Sequence, residues 1–332
     1  MKKIFFLTAA AATLFAACQK TEVVYNKGPQ EIAMFAVNNV ATKAPVTDAI
    51  FPATDKMQVV AYLADGGTAD NYFAKTPFAK GAGSTWVGNP ARYWPVTDAT
   101  LNFLAVSEPN ANTIVTTTFA EGNYASGATV ALADNSSTQY DLMYAFGQGQ
   151  KTSSTPAAVD MAFKHALSLI AFKVSAAGDA TIQVKSITLN DANYSGTLTL
   201  SNSSYNSKVA VSTANVTPAW SNFGTKTNKS AFSGAQTCTA TATSCGEAIL
   251  VVPNTAKENA GFTVSYTIDG GAAVNYTANF AAPETWEAGK KYTYVIAFGE
   301  AAQIEIAPTV DLYITDLDGD GEADDDITVN VQ

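Results

Sequence analysis

Arginine and histidine are almost absent from this chain of 332 residues: Arg92 and His165 each stand alone, and only 14% of residues are charged. With 19 basic against 29 acidic side chains the net charge is -10. The clustered Lys and Arg that a nucleic-acid surface needs are therefore missing, and no nucleic-acid partner is expected. A single histidine leaves a Ser-His-Asp set one base to use, and no Gly-x-Ser-x-Gly elbow accompanies it. His165 is accordingly read as structural. No Walker loop, dinucleotide fingerprint or zinc-ligand spacing occurs, and no carboxylate pair is singled out as a glycosidase set. Cysteine is scarce too, with three in all. After the first residues no apolar run is long enough to span a bilayer, and long amphipathic helical patterns are hard to find.

What remains is 47% hydrophobic, enough for a sizeable core and too much for general disorder. Ser, Thr, Asn, Ala, Gly and Val dominate. Short apolar runs alternate with turn residues: Glu31 to Val37, Met57 to Leu63, Leu101 to Val106, Leu167 to Val174, Ile182 to Leu189, Thr263 to Ile268 and Val274 to Phe280. That spacing predicts an all-β sandwich or barrel and not alternating strands and helices. Length allows two domains. The Gly-, Ser- and Thr-rich stretch 147–157 is the best linker, which places the domains at 30–157 and 158–315.

The leader is read separately. Lys2 and Lys3 precede an apolar stretch from Ile4 to Ala17 that is too short to cross a membrane. It ends in Ala16-Ala17-Cys18, the form of a bacterial lipoprotein signal. Cys18 is the expected lipidation site and residues 19–29 the tether, so attachment to the outer membrane is by anchor and not by helix. Cys238 and Cys245 lie in Thr-Cys-Thr-Ala-Thr-Ala-Thr-Ser-Cys-Gly, the composition of a β-hairpin. Export implies an oxidising compartment, and a disulfide across this loop would contribute about 2.5 kcal/mol.

The tail, residues 316–332, has two halves. Residues 316–326 hold seven carboxylates, with Asp316, Asp318 and Asp320 at alternate positions before Gly321. This is how an EF-hand loop opens, but its twelfth position is Ile327 where a bidentate Glu belongs. Asp324 or Asp326 could close a shorter calcium site; the rival is an acidic, self-repelling hinge. No other cofactor is expected. The second half alternates Ile327, Val329 and Val331 with polar residues, the pattern of a half-buried strand. Four aromatics, Trp86, Tyr93, Trp94 and Trp220, read as core and corner packing or as a sugar-binding platform on a surface protein.

Several local features together resemble the fimbrillins, the type V pilins of Gram-negative bacteria. They are the lipobox at Cys18, Thr42-Lys43-Ala44, Tyr93-Trp94-Pro95 followed by Leu101-Asn102-Phe103, Phe163-Lys164-His165-Ala166-Leu167-Ser168, Tyr194-Ser195-Gly196, Val252-Pro253, and Trp286-Glu287-Ala288-Gly289-Lys290-Lys291-Tyr292. The resemblance implies two transthyretin-like β-sandwich domains in tandem and a structural, non-enzymatic protein of the fimbrium. It implies proteolysis between Lys43 and Ala44, loss of the first strand, and refilling of its groove by the C-terminal strand of another subunit. Burial of Ile327, Val329 and Val331 contributes about 5–8 kcal/mol before association costs. That is too little for a durable joint, so Gln303 to Ile314 is expected to be donated as well. The implied partners are other fimbrial subunits and a host or bacterial surface ligand. The alternative is a monomeric glycan-binding surface lipoprotein.

Overall fold

A computed structural model describes residues 29–312 apart from 39–54, 65–70, 97–98, 112, 122–125, 152–155, 202–215, 254–259, 281–284 and 300–303, with backbone alone for 37, 38, 217 and 305–312. Among the described residues there is no α-helix. The chain begins with β1 (Ala33–Asn38), β2 (Lys56–Leu63), β3 (Asn71–Lys80), β4 (Thr85–Gly88) and β5 (Thr100–Glu108). It makes the hairpin β6 (Val115–Phe119) and β7 (Ala128–Leu132), then adds β8 (Met143–Gln150) and β9 (Val159–His165). Strands β1-β4-β3-β2-β5-β8-β9 close into a barrel. Its interior is filled by alternate residues, among them Met34, Val59, Phe78, Phe103 and Met161, because side chains along a strand point alternately to its two faces.

The second half comprises β10 (Ser168–Ala176), β11 (Ile182–Ala192), β12 (Gly196–Ser201), β13 (Thr217–Ser221), β14 (Thr227–Thr237), β15 (Thr243–Ser244), β16 (Ile249–Val251), β17 (Gly261–Ile268), β18 (Val274–Asn279), β19 (Lys290–Phe298) and β20 (Ile304–Leu312). One sheet runs β15-β10-β19-β20, with β16 also on β10, and faces the sheet β14-β11-β17-β18. Their shared core is rich in aromatics: Phe172, Phe262, Phe280, Trp286 and Tyr294. This half is a two-layer sandwich of the expected class.

The division expected at 158 does not coincide with the sheets. Strand β9 lies beyond it yet closes the barrel, five of its residues pairing with β1. Hairpin β12–β13 turns back onto β7, with Gly196 opposite Leu132 and Leu200 opposite Ala128, and completes the sheet β13-β12-β7-β6. That sheet covers the outer wall of the barrel, where Val60, Tyr62, Leu104, Tyr144 and Phe146 meet Val130, Leu198 and Leu200. Ala166, Leu167, Leu250 and Val252 join the same cluster, so the halves share one apolar seam. Gly147 and Gly149 of the stretch 147–157 lie within β8.

Candidate functional site

Strand β1 is the closing stave of the barrel, and no tight turn ties it to its neighbours. It runs antiparallel to β4, with Ala33 opposite Val87 and Phe35 opposite Thr85. It runs parallel to β9, from Met34 opposite Val159 to Asn38 opposite Phe163. Parallel neighbours cannot be joined by a short hairpin, and both partners of β1 are distant in sequence. Only residues 39–54 connect it forward to β2. At its start Ile32 donates its N–H to Arg92 O at 2.7 Å, and Trp94 donates its N–H to Gln30 O at 2.8 Å. One face is fully inside: Ile32 and Met34 are 0% exposed and Ala36 2%.

The slot is shaped by what surrounds it. Trp94 meets Phe103 edge-on at 6.0 Å and lies against β8. A Cβ at Gly149 would fall 2.7 Å from Trp94 Cη2 and 2.8 Å from Val159 Cγ2, and one at Gly147 would fall 2.6 Å from Met161 Sδ. These glycines make room for the side chains that flank β1. Glycine inside a strand often marks such a close approach, and that was the sequence signal for a site the linker reading passed over. Substitution Gly149→Ala is expected to destabilise the chain by about 1–3 kcal/mol through overpacking, read as a lower urea midpoint with an unchanged slope.

Of the residues singled out from sequence, Cys18, Lys43, Ala44, Asp316, Asp318, Asp320, Asp324, Asp326, Ile327, Val329 and Val331 lie outside the described residues. Cys238 and Cys245 are free thiols, so the expected disulfide is not formed here. Nor is their segment a hairpin, because the chain crosses from one sheet to the other. Cys238 follows β14 and donates its N–H to Ile182 O, whereas Cys245 follows β15 and donates to Phe172 O. Burial pushes the Cys238 thiol up to about 11 and, with the Cys238 charge adding to it, the Cys245 thiol up to about 12. Such thiols are poor nucleophiles at neutral pH.

The aromatics do not form a platform. Trp86 and Trp94 are in the core, Tyr93 is exposed, and Trp220 donates its Nε1–H to Ala166 O at 2.9 Å beside the shared seam. Arg92 is held inside its own half, its Nε–H donated to Thr76 Oγ1 at 2.9 Å and its guanidinium 5.3 Å above the Phe73 ring. His165 Nδ1 pairs with Asp141 Oδ2 at 2.7 Å where the chain leaves the barrel. The stretch Gln303 to Ile314 is in part already used: Ile304–Leu312 is β20, paired with β19 from Ile304 opposite Phe298 to Leu312 opposite Lys290.

Comparison with known proteins places the chain. The profile of the family described as fimbrillin-like matches residues 42–315. A crystal structure from Bacteroides uniformis, described as a candidate cell adhesion protein, is similar at a TM-score of 0.50 and 18% identity, covering 85% of this chain and 99% of that one. One from Bacteroides ovatus with the same description has a TM-score of 0.50 and 15% identity, covering 87% and 98%. The fimbrial anchor protein of Porphyromonas gingivalis shows a TM-score of 0.37 and 9% identity, covering 85% and 96%. No curated protein matches the chain.

Proposed function

The chain belongs to the fimbrillin-like family, and we propose that it is a structural, adhesive fimbrial subunit, exported as a precursor lipidated at Cys18 and assembled by exchange of β1. Cleavage after Lys43 frees β1, and the C-terminal strand of a neighbouring subunit, with Ile327, Val329 and Val331 on its apolar face, takes the slot. The observation that carries this reading is the covalent isolation of β1. Its buried face fills the barrel, both of its partners are remote in sequence, and only 39–54 joins it to β2. A vacated slot leaves two rows of unpaired backbone groups and an apolar groove, the condition that strand addition repairs.

With β20 paired inside its own chain, the donated segment is residues 313–332, and the durability of the joint rests on Tyr313, Ile314 and the backbone ladder in addition to Ile327, Val329 and Val331. The segment spans about 65 Å when extended. This is ample for one strand plus a linker, and the acidic run 316–326 then serves as the hinge or, with Asp316, Asp318, Asp320 and Asp324, as a calcium loop. Placement on the cell surface and association with like subunits follow from the same reading.

The test uses Lys43→Arg with an arginine-specific protease. Arg92 is engaged with Thr76 and Phe73, and an uncut Lys43 chain under the same protease controls for cleavage there. Cleaved protein is expected to form an SDS-resistant ladder that disappears when Ile327 to Gln332 are deleted. A cleaved variant that stays monomeric, or a ladder indifferent to the deletion, overturns the proposal.

A further inference from the structure

Open sheets leave edges, and natural proteins block them with proline, charge, bulges, short strands or side-chain caps. Each open edge among the described residues carries such a device except one. Strand β13 has Pro218 in its register. The outward carbonyl of Thr117 on β6 accepts from Lys75 Nζ at 3.1 Å. Strand β20 holds Glu305, Pro308 and Asp311. Strand β15 has two residues and β16 three, and the Gln139 side-chain amide takes both the N–H and the C=O of Leu250. Strand β14 pairs with β11 through three register shifts, and its Ala231 carbonyl accepts from Glu247 N–H at 2.9 Å. The barrel has no edge at all.

Strand β18 has none of these. Its six residues, Val-Asn-Tyr-Thr-Ala-Asn, pair with β17 in unbroken register from Val274 opposite Tyr266 to Asn279 opposite Gly261. No charged residue occurs from 270 to 283, in a chain of net charge -10. Phe280 donates its N–H to Ala260 O across this pair. Because antiparallel bonding alternates, the backbone groups of Val274, Tyr276 and Ala278 face β17, and those of Asn275, Thr277 and Asn279 face outward. The exposed face behind the edge is a grid of hydroxyls and amides. Ser233, Ser186, Ser265 and Asn275 form one row, and Ser230, Thr188, Thr263 and Thr277 the next. Thr263 Oγ1 and Thr277 Oγ1 are 2.9 Å apart.

We propose that β18 is a self-pairing edge, at which a second copy of this chain adds its own β18 antiparallel about a two-fold axis through Thr277. Thr277 then faces Thr277 of the second copy, and Asn275 faces Asn279, giving about six backbone hydrogen bonds. The sheet β14-β11-β17-β18 continues into a sheet of twice its width. The absence of charge selects this occupant. At this edge two copies of a strongly acidic chain meet without placing carboxylate against carboxylate. One strand from each side falls well short of the roughly 1,600 Å² of a standard interface, so free chains exchange rapidly. The pairing needs no loss of β1 and stands independently of strand exchange.

The experiment is cross-linking in the full chain with Cys18, Cys238 and Cys245 replaced by Ser. Facing residues of a hydrogen-bonded antiparallel pair have Cα atoms about 5.5 Å apart, within disulfide range. Under oxidised glutathione, Thr277→Cys is expected to give covalent dimers about tenfold faster than Asn275→Cys alone, whose partner position is Asn279. Mixing Asn275→Cys with Asn279→Cys chains is expected to restore the fast rate. A Thr277→Cys chain that stays monomeric overturns the proposal, as does equal cross-linking at Thr277 and Asn275. Thr277→Lys, exposed and checked for an unchanged melting curve, is expected to abolish concentration-dependent sedimentation; unchanged sedimentation also counts against it.

Discussion

A chain that begins at residue 39 should lose the cooperative unfolding of its barrel half, and a synthetic peptide spanning Gln30 to Asn38 should restore it. Full burial of Ile32 and Met34 contributes about 1.5–3 kcal/mol for each side chain. Removal of β1 also strips the ladder partners from β4 and β9 together. A total loss of about 5 kcal/mol or more lies within the whole stability of a typical domain. The effect is readable by tryptophan fluorescence, because Trp86 stands opposite Met34 in the register and Trp94 bonds to Gln30. The urea midpoint of the fluorescence transition should fall sharply and return on addition of the peptide. A peptide carrying Met34→Asp should fail, since it would bring an unpaired charge into the barrel core. A truncated chain with the full-length midpoint would show that β1 closes nothing.

The same preparation separates the two meanings of a closing strand. If β1 is only part of the core, no other segment restores the barrel. If it holds a slot for a neighbour, a peptide of residues 313–332 should raise the midpoint as well, and more weakly without Ile327, Val329 and Val331. Addition of calcium to that peptide titration also reports whether the run containing Asp316, Asp318, Asp320 and Asp324 takes part.

Strand periodicity was legible because it is a property of short segments. The stretch Glu31 to Val37 shows its alternation in the sequence and becomes β1 with Ile32, Met34 and Ala36 inward. Val274 to Phe280 likewise becomes β18. Pairing between distant strands was not legible. Nothing local in Gly196 to Leu200 says that it will lie on Leu132 to Ala128, so the sheet shared by the two halves stayed hidden and the boundary at 158 looked natural. Cys238 and Cys245 illustrate the same limit. Threonine and alanine between them suit a hairpin or a crossing between sheets equally well, and only the acceptors, Ile182 and Phe172, distinguish the two. The candidate site was half visible: the alternation of the closing strand could be read, but the glycines that shape its slot, Gly147 and Gly149, read as a linker.

Trp286→Ala should be the most damaging single change in the second half, costing about 3–5 kcal/mol as a large aromatic is removed from a packed core. Trp286 opens the segment read from sequence as Trp-Glu-Ala-Gly-Lys-Lys-Tyr, and the structure gives that segment its physical reason. The indole donates its Nε1–H to the Tyr294 hydroxyl at 3.0 Å and meets Phe280 edge-on at 5.6 Å, while Phe280 lies 4.1 Å from the Tyr294 ring. One turn on, the Tyr292 hydroxyl donates to Thr285 O at 2.8 Å and accepts Glu287 N–H at 2.9 Å. Gly289 turns the chain at a φ of +71° into β19. The segment is thus a corner that delivers β19, the strand between β10 and β20, in register. Hydrogen exchange is the discriminating measurement. Amides of β19 and β10 should lose protection in Trp286→Ala, and Trp286→Phe should recover much of it by refilling the contact with Phe280. Leu250 and Val252 carry the sandwich into the shared seam, so equal losses in β2 and β5 would mean that barrel and sandwich unfold as one cooperative unit. Losses confined to β10 and β19 would mean that barrel and sandwich open as separate units.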